Sequence, residues 1–318
     1  MNRLPLVYNP GAGPAALDPD RLLARLPAEI RSRLELVRLE RPFDYRPVVE
    51  RALRAGGPLL VWGGDGTVHH AGRALVELGC PLALAAVPGG SGNGLVRGLA
   101  TPLDPAGAVQ RLLEGRDLAV DLARLDGIPF FNLCGAGFEA AVAAAFDSAG
   151  GRGLGAYAAA SFRLWRGEPQ LRLQWQVQVP EAASPGNGRM ARLRAAWHAE
   201  EPQALPDTAW SLCFANLPQY GSGLWIAPEA DPTDGALDWV RLRRPNPLEL
   251  VTQVPQLFRE RGRTSLRRQG RILAGEVRFE TVAPWHLDGE PAEGRDRAEL
   301  TLEPRAFRLR VSPECPWE

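Results

Sequence analysis

Two glycine-rich loops, each directly after a short apolar run, constrain this chain more than any other feature. The first loop, GGDGT at residues 63–67, follows the apolar residues 59–62, and the second, PGGSGNG at residues 88–94, follows residues 82–87. Such runs predict buried strands, and each loop stands where a helix would begin. Glycine lets backbone amides approach a ligand closely, and a helix N-terminus favours negative charge. The two loops therefore predict a phosphate site.

A third loop supports this interpretation. Residues 4–8 predict a strand, and the sequence Asn-Pro-Gly-Ala-Gly follows at residues 9–13. Thr67, Ser91 and Asn93 carry side chains that can donate to phosphate or ribose oxygens. Thr67 and Ser91 also suit the alternative role of helix N-caps.

The three loops resemble those of the diacylglycerol kinase-type lipid kinases, a family that includes sphingosine kinases and bacterial lipid kinases. Further family-like segments follow in order at residues 131–139, 221–223, 227–228, 234–238 and 288–290. The resemblance implies a cytoplasmic kinase that uses ATP and Mg²⁺ to phosphorylate a lipid. The ATP-binding residues that it implies are Asn9, Pro10, Gly11, Gly13, Gly63, Gly64, Asp65, Gly66, Thr67, Gly89, Gly90, Ser91 and Asn93.

The hydrophobic pattern predicts two domains. Residues 1–124 alternate strands (34–39, 59–62, 82–87) with helices (46–55, 68–78, 106–113), which is typical of an α/β nucleotide-binding domain with a mainly parallel sheet. Residues 125–318 contain shorter, alternating runs that predict a mainly antiparallel β-sandwich, the lipid-substrate domain. The clearest of these runs are residues 171–179, 210–215, 237–242, 276–281 and 299–310.

Composition excludes one class of mechanism. The 318-residue chain contains no lysine, and its 37 arginines balance 37 acidic residues. A P-loop kinase mechanism, which needs a lysine on the phosphates, is excluded. The four cysteines are scattered, without metal-ligand spacing, and are expected to be reduced. A strand predicted almost at the start leaves no room for a signal peptide, and no nucleic-acid partner is expected.

Three acidic residues are the candidates for catalysis. Asp65, within the first glycine loop, is a candidate to hold Mg²⁺ or to accept the proton of the substrate hydroxyl. The resemblance makes Asp288 a rival for the role of general base, with Glu290 two residues later. A base has to lie within hydrogen-bond reach of its hydroxyl, and an acid from the second domain facing the loops meets that need. The alternative for each aspartate is an ordinary Asp-Gly turn.

The resemblance also implies a structural Mg²⁺. Asp234 would provide a carboxylate, the positions of Asp231 and Ala236 would provide backbone carbonyls, and Asp121 would join through water. Hard oxygen ligands of this kind suit Mg²⁺. A plain turn at residues 231–236 is the alternative.

The chain departs from the family pattern at two places. His70 stands where the family often has a glutamate, and it is preceded by His69; a histidine pair on a helix favours packing or surface exposure over metal binding. Ser91 and Asn93 follow the sphingosine kinase form of the third motif, so a long-chain base competes with diacylglycerol as substrate. An NAD kinase-like enzyme and an inactive lipid-binding regulator are the alternative functions, and a homodimer is left open.

One segment predicts a membrane contact. Residues 259–271 are rich in arginine, and residues 248–258 can form a short amphipathic helix bent by Pro255. Basic groups near an anionic membrane surface contribute about 1 kcal/mol each. A solvated loop is the alternative.

Overall fold

The N-terminal half is an α/β domain with a parallel sheet. The computed structural model describes residues 3–11, 17–40, 43–148, 153–167, 169–180 and 205–318. The strands of this half are β1 (Leu4–Tyr8), β2 (Leu34–Arg38), β3 (Leu59–Gly63) and β4 (Leu84–Pro88). The helices are α1 (Pro19–Ala24), α2 (Ala28–Ser32), α3 (Arg46–Ala55), α4 (Asp65–Glu77), α5 (Gly94–Gly98) and α6 (Pro105–Glu114).

The four strands pair in parallel in the order β2-β1-β3-β4. Strands β3 and β4 are buried along their whole length, as expected when helices cover both faces of a parallel sheet. One apolar cluster packs α3 and α4 against the sheet, and another packs α1 and α6. Both glycine loops therefore leave the sheet at its carboxyl edge, side by side.

The second half is an antiparallel β-sandwich with helices inserted between its strands. Its strands are β5 (Arg116–Leu125), β6 (Ile128–Phe130), β7 (Leu133–Gly137), β8 (Leu171–Gln178), β9 (Thr208–Ala209), β10 (Ser211–Ala215), β11 (Gln219–Gly221), β12 (Leu224–Trp225), β13 (Leu237–Leu242), β14 (Arg267–Ile272), β15 (Ala274–Leu287) and β16 (Glu290–Val311). Its helices are α7 (Phe138–Ser148), α8 (Gly153–Leu164) and α9 (Pro247–Thr252), and a 3₁₀ turn spans Val254–Phe258.

The last strand connects the two halves. Strand β16 pairs with β15 over its first half, with β5 over its second half, and in parallel with β4 through Leu309 and Leu84. Phe307, Leu309 and Trp317 are buried in the core of the N-terminal half. The predicted boundary at residue 124 falls at the end of β5 and would place that strand with the first domain, and the chain returns to the first domain again through β16.

The arginine-rich segment is only partly a loop. Residues 267–272 form β14, which pairs with β13 in the antiparallel sheet. Arg267 is half-buried and donates to the carbonyls of Trp225 and Gly262 at 2.8 and 3.1 Å. The predicted helix before it is a single turn, α9, followed by the 3₁₀ turn that contains Pro255. No helix among the described residues has the length and apolar character needed to cross a membrane.

Candidate active site

The two glycine loops lie in contact with each other. Helix α4 begins at Asp65 and α5 at Gly94, so both loops end in a helix as predicted. A Cβ on Gly90 would lie 2.6 Å from the Cα of Gly64, which leaves no room for a side chain. Asn93 has a φ of 50° and bonds its side-chain oxygen to the Gly90 N–H and its side-chain N–H₂ to the Gly90 carbonyl. The loops thus form one continuous backbone surface.

Asp65 joins the first loop to the second. Its two carboxylate oxygens accept the N–H groups of Asn93 at 2.8 Å and Gly94 at 2.6 Å. The pKa of Asp65 is raised to about 6, chiefly because burial penalises the charged form and also because Asp288 is near, while these amides act in the opposite direction. Asp65 is therefore more than a turn residue: its carboxylate caps the helix that follows the second loop.

The first loop is held by Asn9. Its side-chain N–H₂ donates to the Thr67 hydroxyl at 3.2 Å, and its oxygen accepts the Gly11 N–H at 3.0 Å. Asn9, Pro10 and Gly11 thus lie beside the GGDGT loop, as the sequence predicts. Gly13, the other member of this predicted set, is outside the described residues.

An open cleft of about 360 Å³ borders the second loop. Trp62, Pro88, Gly89, Gly90 and Asn93 form one wall. The other lining residues come from the regions of α1 and α6, which carry no glycine motif, and were not predicted from the sequence. They are Leu17, Asp18, Arg21, Leu22, Arg25, Leu103, Pro105 and Ala106. Arg25 is paired with Asp104 at 2.6 Å, whereas Arg21 contributes positive charge to the cleft rim.

Asp288 lies at the tip of the turn between β15 and β16. It has a φ of 50°, a left-handed conformation that aspartate tolerates better than most residues. Its carboxylate accepts the N–H groups of Phe131 at 3.0 Å, Asn132 at 2.8 Å and Leu133 at 3.1 Å. The family-like segment at residues 131–139 and the late Asp-Gly-Glu segment are therefore physically joined.

His69 completes this arrangement, and the sequence analysis missed it. The His69 Nδ1 lies 2.7 Å from Asp288 Oδ2, and only 4% of its side chain is exposed. Asp65, His69, Asn132 and Asp288 share the lining of one small cavity with apolar neighbours. The signal in the sequence was weak: a histidine two residues after Thr67 falls in the second turn of α4, beyond the glycine loop. The expectation of packing or surface exposure fits both histidines, since His70 is exposed and His69 is buried against Phe131, but it did not include the contact of His69 with Asp288.

Glu290 lies against the start of α4. A Cβ on Gly66 would collide with the Glu290 carboxylate, so this side chain rests directly over the GGDGT loop. A carboxylate at a helix N-terminus is electrostatically favoured. Asp65, Asp288 and Glu290 thus lie near one another although they come from two domains, and their catalytic roles stay a prediction.

The β-sandwich also contacts the second loop. Ser222 donates its N–H to the Gly92 carbonyl at 2.9 Å and its hydroxyl to the Ser91 carbonyl at 3.2 Å. Asn132 donates to the Gln219 carbonyl at 2.9 Å, while its own side-chain oxygen is buried without a partner in the described structure. Ser91 therefore contacts the β-sandwich through its carbonyl oxygen.

The predicted structural Mg²⁺ ligands have protein partners. Asp234 pairs with Arg271 at 2.6 Å and accepts the Ala236 N–H at 3.1 Å, and Asp231 accepts from Thr233. Asp121 accepts the N–H groups of Gly235 and Arg305. Within the described ranges, no group of three or more His, Cys, Asp or Glu side chains is arranged to hold a metal ion. Arg271 supplies the local positive charge, so the fit to a resident cation is poor and Mg²⁺ here stays a prediction.

Comparison with known proteins decides the family. Residues 3–125 match the model of the diacylglycerol kinase catalytic domain, and residues 198–311 match the YegS C-terminal NAD kinase beta sandwich-like domain. A protein of Pseudomonas fluorescens named "Probable lipid kinase YegS-like" is 30% identical over 86% of this chain and 84% of its own length. The chain belongs to the YegS-like lipid kinase family. A relative of the same name from Pseudomonas aeruginosa is also 30% identical, over 86% of this chain and 83% of its own length.

The solved structures agree with the fold of a YegS-like protein. A diacylglycerol kinase from Bacillus anthracis superposes with a TM-score of 0.71 at 20% identity, covering 98% of each chain. The predicted fold class, an α/β domain with a parallel sheet followed by an antiparallel β-sandwich, is confirmed.

Proposed function

We propose that this chain transfers the γ-phosphate of ATP to the hydroxyl group of a lipid. One observation carries the proposal: Asp288, from the β-sandwich, lines the same small cavity as Asp65, from the glycine loops. The cavity admits only a water-sized group such as a hydroxyl. Phosphoryl transfer needs an acceptor hydroxyl beside the nucleotide phosphates, and this convergence supports such a site.

ATP would lie along the three loops. The amides at the start of α4 suit phosphate oxygens, and the adjoining open cleft suits the rest of the nucleotide. Arg21 at the cleft rim is a candidate to offset phosphate charge in a chain without lysine. Asp65 would bind the Mg²⁺ that accompanies ATP, and that ion would neutralise charge on the transferring group when bound. Asp65 and Asp288 are both candidates for the role of base.

The lipid would be presented from a membrane surface. Leu248 and Val251 on α9 are 71% and 75% exposed, and the following loop carries the exposed Arg259, Arg261 and Arg263. Apolar groups beside basic groups favour peripheral contact with anionic membranes. This surface distinguishes the proposal from an NAD kinase-like enzyme, whose substrate is water-soluble. Diacylglycerol and a long-chain sphingoid base are the leading acceptors.

The test is a phosphorylation assay with radiolabelled ATP. Mixed vesicles containing diacylglycerol or a sphingoid base are compared with NAD and with no acceptor. We expect labelled lipid, and a labelled product from NAD alone would overturn the proposal. If neither the lipids nor NAD become labelled while the protein still binds ATP, the result would favour the inactive regulator.

Asp126 is a matched control, because it tests whether any aspartate in such a turn affects activity or only Asp288. Asp126 has a φ of 48° in an Asp-Gly turn like that of Asp288, but it is exposed and bonds to the Glu299 N–H. Asp126→Asn should keep parental activity, whereas Asp288→Asn should lose at least about 100-fold in kcat, the usual scale for general-base catalysis.

A further inference from the structure

Asp288 has little capacity left to accept a further hydrogen bond. A carboxylate offers about four acceptor positions. Three backbone N–H groups, from Phe131, Asn132 and Leu133, and the Nδ1 of His69 together supply four donors. A substrate hydroxyl would have to displace one of them before it could bond to Asp288. A carboxylate whose acceptor positions are all occupied is suited to hold its partners in place, here the His69 ring and the backbone of residues 131–133.

The partner of Asp288 fixes one state of the His69 ring. Because the carboxylate only accepts, the 2.7 Å contact requires a hydrogen on Nδ1. With the hydrogen on Nδ1, the neutral ring has its basic lone pair on Nε2. The hydrogen bond that one ring nitrogen makes thus determines the protonation of the other. Phe131 packs edge-on against the ring at 6.1 Å, which further restricts its rotation.

We propose that His69 Nε2, oriented by Asp288, accepts the proton of the lipid hydroxyl. The assignment rests on the proposed lipid kinase function and names the base of that reaction. The ring is almost fully buried and lines the small cavity where the two domains meet. The unpaired oxygen of Asn132 in the same lining marks this cavity as a place for a polar ligand atom. Asp288 would act on His69 as the aspartate does in other aspartate–histidine pairs, where it fixes the tautomer of the ring and stabilises the imidazolium.

The step balances without any further reactant. The hydroxyl oxygen forms a bond to the γ-phosphorus while the bond from that phosphorus to the β–γ bridging oxygen breaks. The electron pair of the broken bond leaves with ADP, and the hydroxyl proton moves to Nε2. The resulting imidazolium lies against the Asp288 carboxylate, and the proton returns to solvent after the products leave.

One substitution separates this proposal from a direct role for Asp288. In His69→Asn, the amide nitrogen occupies the place of Nδ1 and can still donate to Asp288, but Nε2 is lost. We expect kcat to fall at least about 100-fold while the affinity for ATP is unchanged. His70→Asn is the matched control, because His70 is the exposed neighbour on the same helix, and it should keep parental kcat. Parental kcat in His69→Asn would overturn the proposal and return the role to Asp288 or Asp65.

Two further measurements test the role of His69 independently of the asparagine variant's kcat. Added imidazole should restore part of the kcat of His69→Gly and none of that of Asp288→Asn; absence of rescue in a folded, ATP-binding His69→Gly counts against the proposal. In the parent protein, ¹⁵N spectra of the four histidines, assigned through His69→Asn, report the tautomer directly. A hydrogen on Nε2 of neutral His69 would overturn the assignment whatever the kcat values of the variants. A parent that labels no lipid would instead overturn the proposed function.

Discussion

The Cα of Gly64 lies so close to Gly90 that a Cβ on Gly90 would come within 2.6 Å of it. The reverse contact is milder: a Cβ on Gly64 would lie 3.4 Å from the Gly90 Cα. The two glycines therefore have different reasons to lack a side chain. Gly90 is required by the contact between the loops, whereas Gly64 leaves space that a phosphate group can use.

Gly64→Asp should abolish ATP binding while the fold survives. The added carboxylate would occupy the surface that we assign to phosphate and would repel its charge, but the backbone at Gly64 has an ordinary φ of −83°. Gly64→Ala should weaken ATP binding with little loss of stability. Calorimetric titration with ATP, combined with thermal unfolding, is the measurement. Unchanged ATP affinity in a folded Gly64→Asp protein would contradict the nucleotide site.

Gly90→Ala should behave differently from Gly64→Ala. Because the backbone of Gly64 cannot give way without moving the first loop, we expect a loss of about 1–3 kcal/mol in unfolding free energy, the usual scale for overpacking. Urea unfolding of the two alanine variants provides the comparison. Equal unfolding free energies for the two alanine variants would mean that the two glycine loops can move apart without loss of stability.

Asp65 should make the stability of the protein depend on pH. Its folded-state pKa of about 6 lies above the ordinary value of 3.8, so the folded protein holds this proton more tightly than the unfolded chain. The stabilising effect of the proton is present at low pH and is lost as pH rises to about 6, a change of about 3 kcal/mol. Urea unfolding of the parent and of Asp65→Asn between pH 4 and 7 measures it. The parent should lose stability relative to the variant across this range, and a pH-independent difference would refute the shift.

The exposed apolar residues of α9 should mediate vesicle binding. Replacing Leu248 and Val251 with serine removes apolar area that can enter the membrane interface, so sedimentation with anionic vesicles should decrease. Val282→Ser is the control, because Val282 is 66% exposed but lies on β15. Equal losses in the control and the α9 variant would show that general surface hydrophobicity, and not this helix, governs binding.

The arginines of the segment at residues 259–271 can be divided by their protein partners. Neutralising Arg259, Arg261 and Arg263 should weaken vesicle binding and reduce its salt dependence, since exposed charges are screened over about 8 Å at physiological ionic strength. Arg267→Gln should instead lower stability, because its guanidinium donates to two backbone carbonyls. Vesicle sedimentation at two salt concentrations and thermal unfolding separate the two effects.

Arg271 should compete with Mg²⁺ for Asp234. In the parent, the 2.6 Å ion pair neutralises the Asp234 carboxylate. The pKa of the neighbouring Asp121 is raised chiefly by burial and also by the charge of Asp234. Arg271→Gln should therefore lower the Tm, and Mg²⁺ should restore more of it than Mg²⁺ adds to the parent. Thermal unfolding in Mg²⁺ and in EDTA is the measurement. A variant that does not respond to Mg²⁺ would rule out a cation site at Asp231, Asp234 and Ala236.

Much of the fold follows from local sequence patterns. The helix at residues 46–55 and the strand at residues 237–242 have the predicted bounds, and β3 and β4 differ from prediction by one or two residues at their ends. These elements carry their own periodicity or apolar run, so no tertiary information is needed. The glycine loops were predictable for the same reason, because loop and strand are adjacent in sequence.

The rest of the site depends on contacts between distant residues. His69 and Asp288 are 219 positions apart, and nothing in the sequence near His69 indicates that a carboxylate will reach it. The inward direction of Arg267 likewise depends on which residues of β14 pair with β13. Side-chain direction in a strand is set by register, and a shift of one residue reverses it.

The return of the last strand into the first domain has a consequence for the order of folding. Phe307, Leu309, Val311 and Trp317 belong to the same core as α3 and α4, and Trp317 donates its indole N–H to the Gly98 carbonyl at 3.3 Å. During synthesis, the nucleotide-binding half leaves the ribosome first, yet its core lacks these side chains until residues 307–317 have been translated. Such long-range closure slows folding and prolongs the exposure of apolar surface. Part of the apolar core of the nucleotide-binding half therefore stays uncovered until residues 307–317 have been made.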